Sequence, residues 1–327
     1  MKLSIVLLLM MLLFTVPNTA QATPVVIYRG DPNVGAYNQA IHEGVEAFRN
    51  STHKECIEIQ AVSEEVDYIA KIKESVANGY SPIVLPYNSP RVLDAIQKYE
   101  SHREVRFVLL DCVKDIDLPN VRIFQFSNYE GSFMAGALAA LMTKTNVVGF
   151  IYTNNDYPIL RQFQAGFKHG VHSVNSSVQI LESTLGNYPG MWYDVAKAQN
   201  IAAQQIKKGA DVLFAVAGFA GTGVLAQAAE SGIYAIGMDK NQNHLHPGSM
   251  IGSMVKRLNK IIPIALQMPL SGLKQCKVKR IGLAQDIVGL EFDGVQEGLV
   301  PQKIKERLRY IKCDIILGKI KKPKKID

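Results

Sequence analysis

The chain is poor in the residues that anchor metal and redox chemistry. Its 327 residues include four cysteines and one tryptophan. Cys56, Cys112, Cys276 and Cys313 are far apart and no pair has C-x-x-C spacing, which argues against zinc and thioredoxin-type sites. An even count permits disulfides in an oxidising compartment, with the pairing left open. Cys56 and Cys112 fall in or beside expected strands and read as buried free thiols. The catalytic signatures are missing too: there is no G-x-S-x-G, no H-E-x-x-H, no acidic metal loop and no Walker A sequence. His244 and His246 form an H-x-H in a turn without further ligands, and the histidines at 42, 53, 102, 169 and 172 read as solvated. These absences point away from an enzyme, and no cofactor or metal is expected.

Charge and hydropathy narrow the class further. Net charge is +7, yet no aromatic residues interleave with the closing lysines Lys319, Lys321, Lys322, Lys324 and Lys325, so a solvated tail is expected rather than nucleic-acid binding. Apolar residues make up 47% and charged residues 20%, enough for substantial cores. Past the N-terminus no apolar run is long enough to span a membrane. Met1–Ala22 reads as an export signal: Lys2, an apolar stretch from Ile5 to Val16, and the small-x-small site Ala20-Gln21-Ala22. No cysteine lies beside that site, so the expectation is a soluble periplasmic protein, monomeric and without a lipid anchor.

What is present is a regular alternation of short apolar runs with helical periodicity. Strands are expected at Pro24–Tyr28, Cys56–Val62, Ile83–Pro86, Val105–Leu110 and Val121–Phe126, with helices between them. The pattern restarts near Asn146 and ends in a helix over Pro301–Leu317. Strands alternating with helices predict parallel sheets wrapped by helices, and the restart predicts two similar lobes with a hinged cleft. The expected division is 23–145 plus about 256–283 for the first lobe, and 146–255 plus about 284–327 for the second.

The chain is organised around Asp211–Asp239, which reads as strand, glycine turn, helix, strand and carboxylate. Gly218, Gly221 and Gly223 allow close approach to a ligand, but their spacing is not that of the dinucleotide fingerprint. Asp239 sits at the carboxyl end of a strand, where open α/β sheets bind ligands, and a carboxylate accepts hydrogen bonds from vicinal hydroxyls. Lys256 ends the next strand and can reach the same surface. Asp31, Tyr37 and Asn38 follow the first strand. Tyr37, Tyr87, Trp192 and Phe219 are aromatics at strand ends, suited to stacking on a planar ring. Each has a plainer reading as a turn, surface or packing residue.

Several segments resemble the basic membrane protein family of substrate-binding proteins. They are Glu130-Gly-Ser-Phe-Met-Ala-Gly136, Val147-Val-Gly-Phe-Ile151, Arg161-Gln-Phe-Gln-Ala-Gly-Phe167, Asp211–Gly218, Gly221-Thr-Gly-Val224, Tyr234–Asp239 and Ser253-Met-Val-Lys-Arg257. The resemblance implies a type I periplasmic-binding-protein fold, two Rossmann-like lobes, and delivery of a nucleoside, usually a purine nucleoside, to the permease of an ABC importer. It maps a base sandwich onto Tyr37 and Phe219, ribose contacts onto Asp239 and Lys256, and further contacts onto Asp31 and Asn38. Where the family often has an aspartate reading the base edge, this chain has Asn128. The alternative is a periplasmic sensor that binds a sugar or signalling molecule.

Overall fold

The computed structural model describes residues 22–62, 65–114, 116–154, 156–268, 278–294 and 298–323. Residues 1–21 of the expected leader, Cys276, Lys324 and Lys325 lie outside them. Strand β1 (Val25–Arg29) leads into helix α1 (Ala36–Thr52), which turns Ile41, Val45 and Phe48 inward. β2 (Ile57–Ala61), α2 (Glu65–Ala77), β3 (Ile83–Leu85), α3 (Pro90–Gln97), β4 (Phe107–Leu110) and β5 (Val121–Phe126) complete the first run. Ser89 caps α3 by accepting from the Val92 amide, and Pro90 supplies its first turn, where a missing N–H costs nothing.

After α4 (Asn128–Met142) the pattern begins again: β6 (Val147–Tyr152), α5 (Pro158–Val174), β7 (Gln179–Thr184), α6 (Val195–Lys207), β8 (Val212–Val216), α7 (Gly221–Glu230), β9 (Tyr234–Asp239) and β10 (Met250–Lys256). Then come α8 (Leu258–Leu266), β11 (Val278–Ile281), β12 (Val288–Glu291) and α9 (Gln302–Ile316). Two six-stranded sheets result, in the orders β11-β5-β4-β3-β1-β2 and β12-β10-β9-β8-β6-β7. Pairing is parallel except between β10 and β12. The α/β fold of two lobes is therefore as expected. The strands facing both layers of helices are apolar along their whole length, as parallel sheets covered on both faces require: β3, β4 and β8 are buried at every residue.

The chain crosses between the sheets after β5, after β10 and between β11 and β12. α4 follows the first sheet in sequence but packs on α5 and against β8, β10 and β12. Its small residues explain the fit. A Cβ on Gly136, Gly166 or Gly170 would lie 2.2, 2.3 or 2.0 Å from a backbone oxygen of the facing helix, so the α4–α5 contact is backbone on backbone. α8 returns to α1 on the first sheet's side. Cys56 and Cys112 are buried and neither is in a disulfide, and burial pushes the Cys56 thiol up to about 12. Among the described residues no helix is long and apolar enough to cross a membrane.

Candidate ligand-binding site

The carboxyl ends of both sheets face one another, and three charged side chains meet there. Asp111 follows β4, Asp239 ends β9 and Lys256 ends β10. Lys256 Nζ donates to Asp111 Oδ2 at 2.7 Å, from one sheet to the other, and lies 3.3 Å from Asp239 Oδ1. The Lys256 side chain is only 3% exposed, and those of Asp111 and Asp239 are 7% and 10% exposed. Its ammonium also sits 5.0 Å from the Tyr37 ring centroid, 5.1 Å from Phe163 and 5.8 Å from Phe126, within range for cation–π attraction.

Both aspartates hold a left-handed backbone, with φ of 56° at Asp111 and 65° at Asp239. Aspartate tolerates this region better than most residues, but it is still uncommon away from glycine, and such strain clusters at functional sites. Burial raises the Asp239 carboxyl above its ordinary range, with Asp111 adding to the rise and Lys256 opposing it. For Lys256 burial works against the charge, and Asp111 and Asp239 together outweigh it, so the ammonium is held. Burial, then the two carboxylates, raise the Tyr37 phenol well above its usual value. Asp239 Oδ1 is buried with the 3.3 Å ion-pair contact to Lys256, and neither the buried Tyr37 Oη nor the buried Asn128 Oδ1 makes a well-formed hydrogen bond. A buried polar atom held so sparsely gains from a ligand hydrogen bond.

Above this cluster opens a cavity of about 400 Å³, walled by both lobes. The first contributes Arg29, Tyr37, Asn38, Tyr87 and Asp111. Tyr157, Phe163, Trp192, Tyr193 and Phe219 come from the second, with Asp239 and Lys256 below. Its size and aromatic walls suit a small organic ligand. The lobes also meet at the rim. Lys240 Nζ reaches Glu43 Oε1 at 2.5 Å. Gly30 has φ of 83°, which favours glycine, and a Cβ there would lie 2.2 Å from the Tyr193 hydroxyl, so the Tyr193 side chain of the second lobe closes on this turn.

Tyr37, Asn38, Trp192, Phe219, Asp239 and Lys256 thus converge on one cavity. Two expected site residues do not line it. Asp31 closes its own turn, its Oδ1 accepting from the Asn33 amide at 2.7 Å. Asn128 is fully buried behind the wall, and its Nδ2 donates to Asp111 Oδ1 at 3.0 Å. Asn38 spends its amide on the carbonyls of Arg29 and Asp31, which fixes the β1–α1 turn. Sequence reasoning missed Asp111, Arg29, Tyr157, Phe163 and Tyr193 as cavity residues. For Asp111 a signal existed: it stands after the third strand in from its sheet edge, as Asp239 does in the other sheet. Gly218 lines the cavity and packs on Trp192, so the glycine turn serves close approach.

Outside the cleft, His42, Glu46 and Glu58 bring ligand atoms within 4.8 Å of one another. Glu58 is already occupied. It accepts from Tyr28 Oη at 2.7 Å, pairs with Arg49 at 2.8 Å and contacts His42 Nδ1 at 2.8 Å, so His42 is held rather than solvated. A guanidinium in that position serves as the cation, and the group is an ion-pair network on α1 and β2.

The model of the family described as "ABC transporter substrate-binding protein PnrA-like" (Bmp) matches residues 23–321. The chain is 29% identical over 200 residues to Basic membrane protein D of Borreliella burgdorferi, covering 59% of this chain and 57% of that one. It is 29% identical over 238 residues to the ABC transporter nucleoside-binding protein BmpA of Lactococcus lactis subsp. cremoris, covering 67% and 64%. These matches span somewhat less than two thirds of the relatives' own lengths. Among solved structures, an ABC transporter solute-binding protein of Aeropyrum pernix superposes with a TM-score of 0.78 at 18% identity, covering 94% of each chain. A solute-binding protein of Conexibacter woesei does so with a TM-score of 0.72 at 19% identity, covering 92% and 98%. Family match, two-lobe fold and interlobe cavity agree: the chain belongs to the Bmp family of PnrA-like ABC transporter substrate-binding proteins.

Proposed function

We propose that this protein is the binding component of an ABC importer and holds a nucleoside, with purine nucleosides preferred, between its lobes without transforming it. The observation that carries this reading is the cavity itself. Aromatic rings from both lobes enclose a space that ends on the buried Asp239 carboxylate and its Lys256 partner, beside the Tyr37 hydroxyl. A base stacked between Tyr37 and Phe219, with sugar hydroxyls donating to Asp239 and accepting from Lys256, would use both the rings and the charges. The ligand touches both lobes, so binding favours whichever interlobe arrangement makes those contacts simultaneously. The nucleoside-binding description of the Lactococcus relative supports the ligand class.

Among the described cavity residues the charged groups are Arg29 and two carboxylates tied to the Lys256 ammonium, with no serine or cysteine beside a base, which supports binding over catalysis. Function in the periplasm after removal of the expected leader, and docking on a membrane permease, belong to the same proposal. We assign the lobes as the two sheets with their packed helices, α4 going with the second sheet. Trp192 lines the cavity, so its fluorescence reports occupancy. Titration of the purified protein with guanosine, inosine and adenosine is expected to give saturable quenching and a raised melting temperature. Absence of both, with all three nucleosides, would sink the reading, and mass spectrometry of co-purifying small molecules would then name the ligand.

A further inference from the structure

We propose that the outer end of the cavity, at Arg29, is a second recognition pole that takes an acceptor-only edge of the ligand; this rests on the nucleoside reading above. Arg29 ends β1 and lines the cavity. The other charged groups in the wall, Asp111, Asp239 and Lys256, are joined to one another at the inner end. β3 separates β1 from β4 in the sheet, which puts the two poles about 10 Å apart along the sheet edge. A ligand whose hydroxyls engage Asp239 can therefore meet Arg29 only with its far end.

The guanidinium is built into the wall. Its carbon stacks 4.5 Å from the Tyr87 ring centroid, and Tyr87 lines the cavity too. A stacked guanidinium has its position set in advance, and its in-plane N–H fork remains directional. The inference does not need Arg29 to lack protein partners, because the group carries five donors. Tyr193, whose hydroxyl lies against Gly30, the next residue in the chain, lines the same cavity. The nearby carboxylates do not compete for the ligand, because neither lines the cavity: Asp31 accepts from the Asn33 amide, and Glu65 accepts from Ser89 and, at 3.5 Å, from Tyr87. The guanidinium is the charged group that the cavity wall presents at this end.

One chemistry therefore fits: paired acceptor atoms that meet a guanidinium fork. Two sources supply it on a nucleoside. The O6/N7 edge of a 6-oxopurine presents two acceptors to arginine, whereas adenine presents a donor at position 6. A phosphoryl group esterified to the sugar presents acceptor oxygens and a full negative charge.

The test is calorimetric titration of the protein and of its R29M variant with inosine, adenosine and inosine 5′-monophosphate. R29K, which keeps the charge and loses the fork, serves where R29M melts well below the parent. For a base-edge source, the parent binds inosine about tenfold more tightly than adenosine, and R29M loses that preference while adenosine affinity stays within about threefold. For a phosphoryl source, the monophosphate binds about tenfold more tightly than inosine, in a manner that fades with added salt and vanishes in R29M. Nucleoside binding with neither preference, or with preferences that R29M leaves intact, overturns the second pole and leaves the nucleoside reading standing. No binding of any of the three removes both.

Discussion

The two sheets are near-copies in topology, and their strand ends are not. The third strand in from the edge is β4 in the first sheet and β9 in the second, and each is followed or ended by a buried aspartate with a left-handed backbone. The neighbouring strands differ. β5 ends in Phe126, whereas β10 ends in Lys256. One cation therefore serves two carboxylates, and the pair is unequal. Both oxygens of Asp111 are engaged, by Lys256 and by Asn128. Asp239 has the longer contact, 3.3 Å from Lys256 to Oδ1, and lines the cavity. A repeated fold has set two equivalent acids face to face, and the proposed function gives them different roles, Asp111 as scaffold and Asp239 as the ligand's acceptor.

The sharpest way to break this comparison is to remove the shared cation. Lys256→Met leaves two buried carboxylates facing each other and is expected to cost about 3–5 kcal/mol in denaturant unfolding. Adding Asp111→Asn to that variant should recover a substantial part, and a double variant no more stable than the single would show that the carboxylates are not the source of the loss.

Asp239→Ala should lower nucleoside affinity by about a hundredfold, worth about 3 kcal/mol, with the melting temperature nearly unchanged. Near-normal affinity would end the assignment of Asp239 as the ligand's acceptor. Asp111→Asn should do the reverse: about 2 kcal/mol lost from unfolding and less than a tenfold change in affinity, since both its oxygens already serve the protein. If the two aspartate variants behave alike, the division into scaffold and acceptor fails.

The smallest effect concerns pH. The Asp239 carboxyl is raised in the folded protein, first by burial, so its ionised form is the costly one. Its contribution to stability is full below the unfolded carboxyl's value near 3.8 and is lost as pH rises through the raised folded value. Asp239→Asn removes that loss. The variant should be more stable than the parent at pH 7 in denaturant unfolding, and the gap should close toward pH 4. A gap that is constant with pH would mean that Asp239 titrates normally.

Much of this was legible because it depends on local pattern. The alternation of apolar runs and helical periodicity marked nearly every element, and α5 begins at Pro158 and stops at Val174 as expected. The glycine turn around Phe219 is likewise a local signal. Asp239 and Lys256 stood out because they terminate strands of strong apolar character. Asp111 carried the same mark, but it reads as an ordinary turn residue until the second sheet is laid opposite the first. Asn128 shows the converse. The family resemblance put it among the base contacts, and packing sets it one layer behind the cavity wall, buried and bonded to Asp111. Asp31 looked like a ligand carboxylate and is spent on its own turn.

By itself, then, the sequence determined the class of fold, the order of its elements, the family and the residues that end the strands, because periodicity and strand-terminal chemistry are encoded within a few residues of each other. Which of those residues face a common space was decided by tertiary structure alone. Lys256 meets Asp111 across 145 residues of chain, and Arg29 and Tyr157 share a wall though they belong to different sheets. Those meetings depend on how two sheets are set against each other by the chain crossings after β5, after β10 and between β11 and β12, and by α8 of the later chain packing on α1, whose consequence for a distant cleft no local pattern contains.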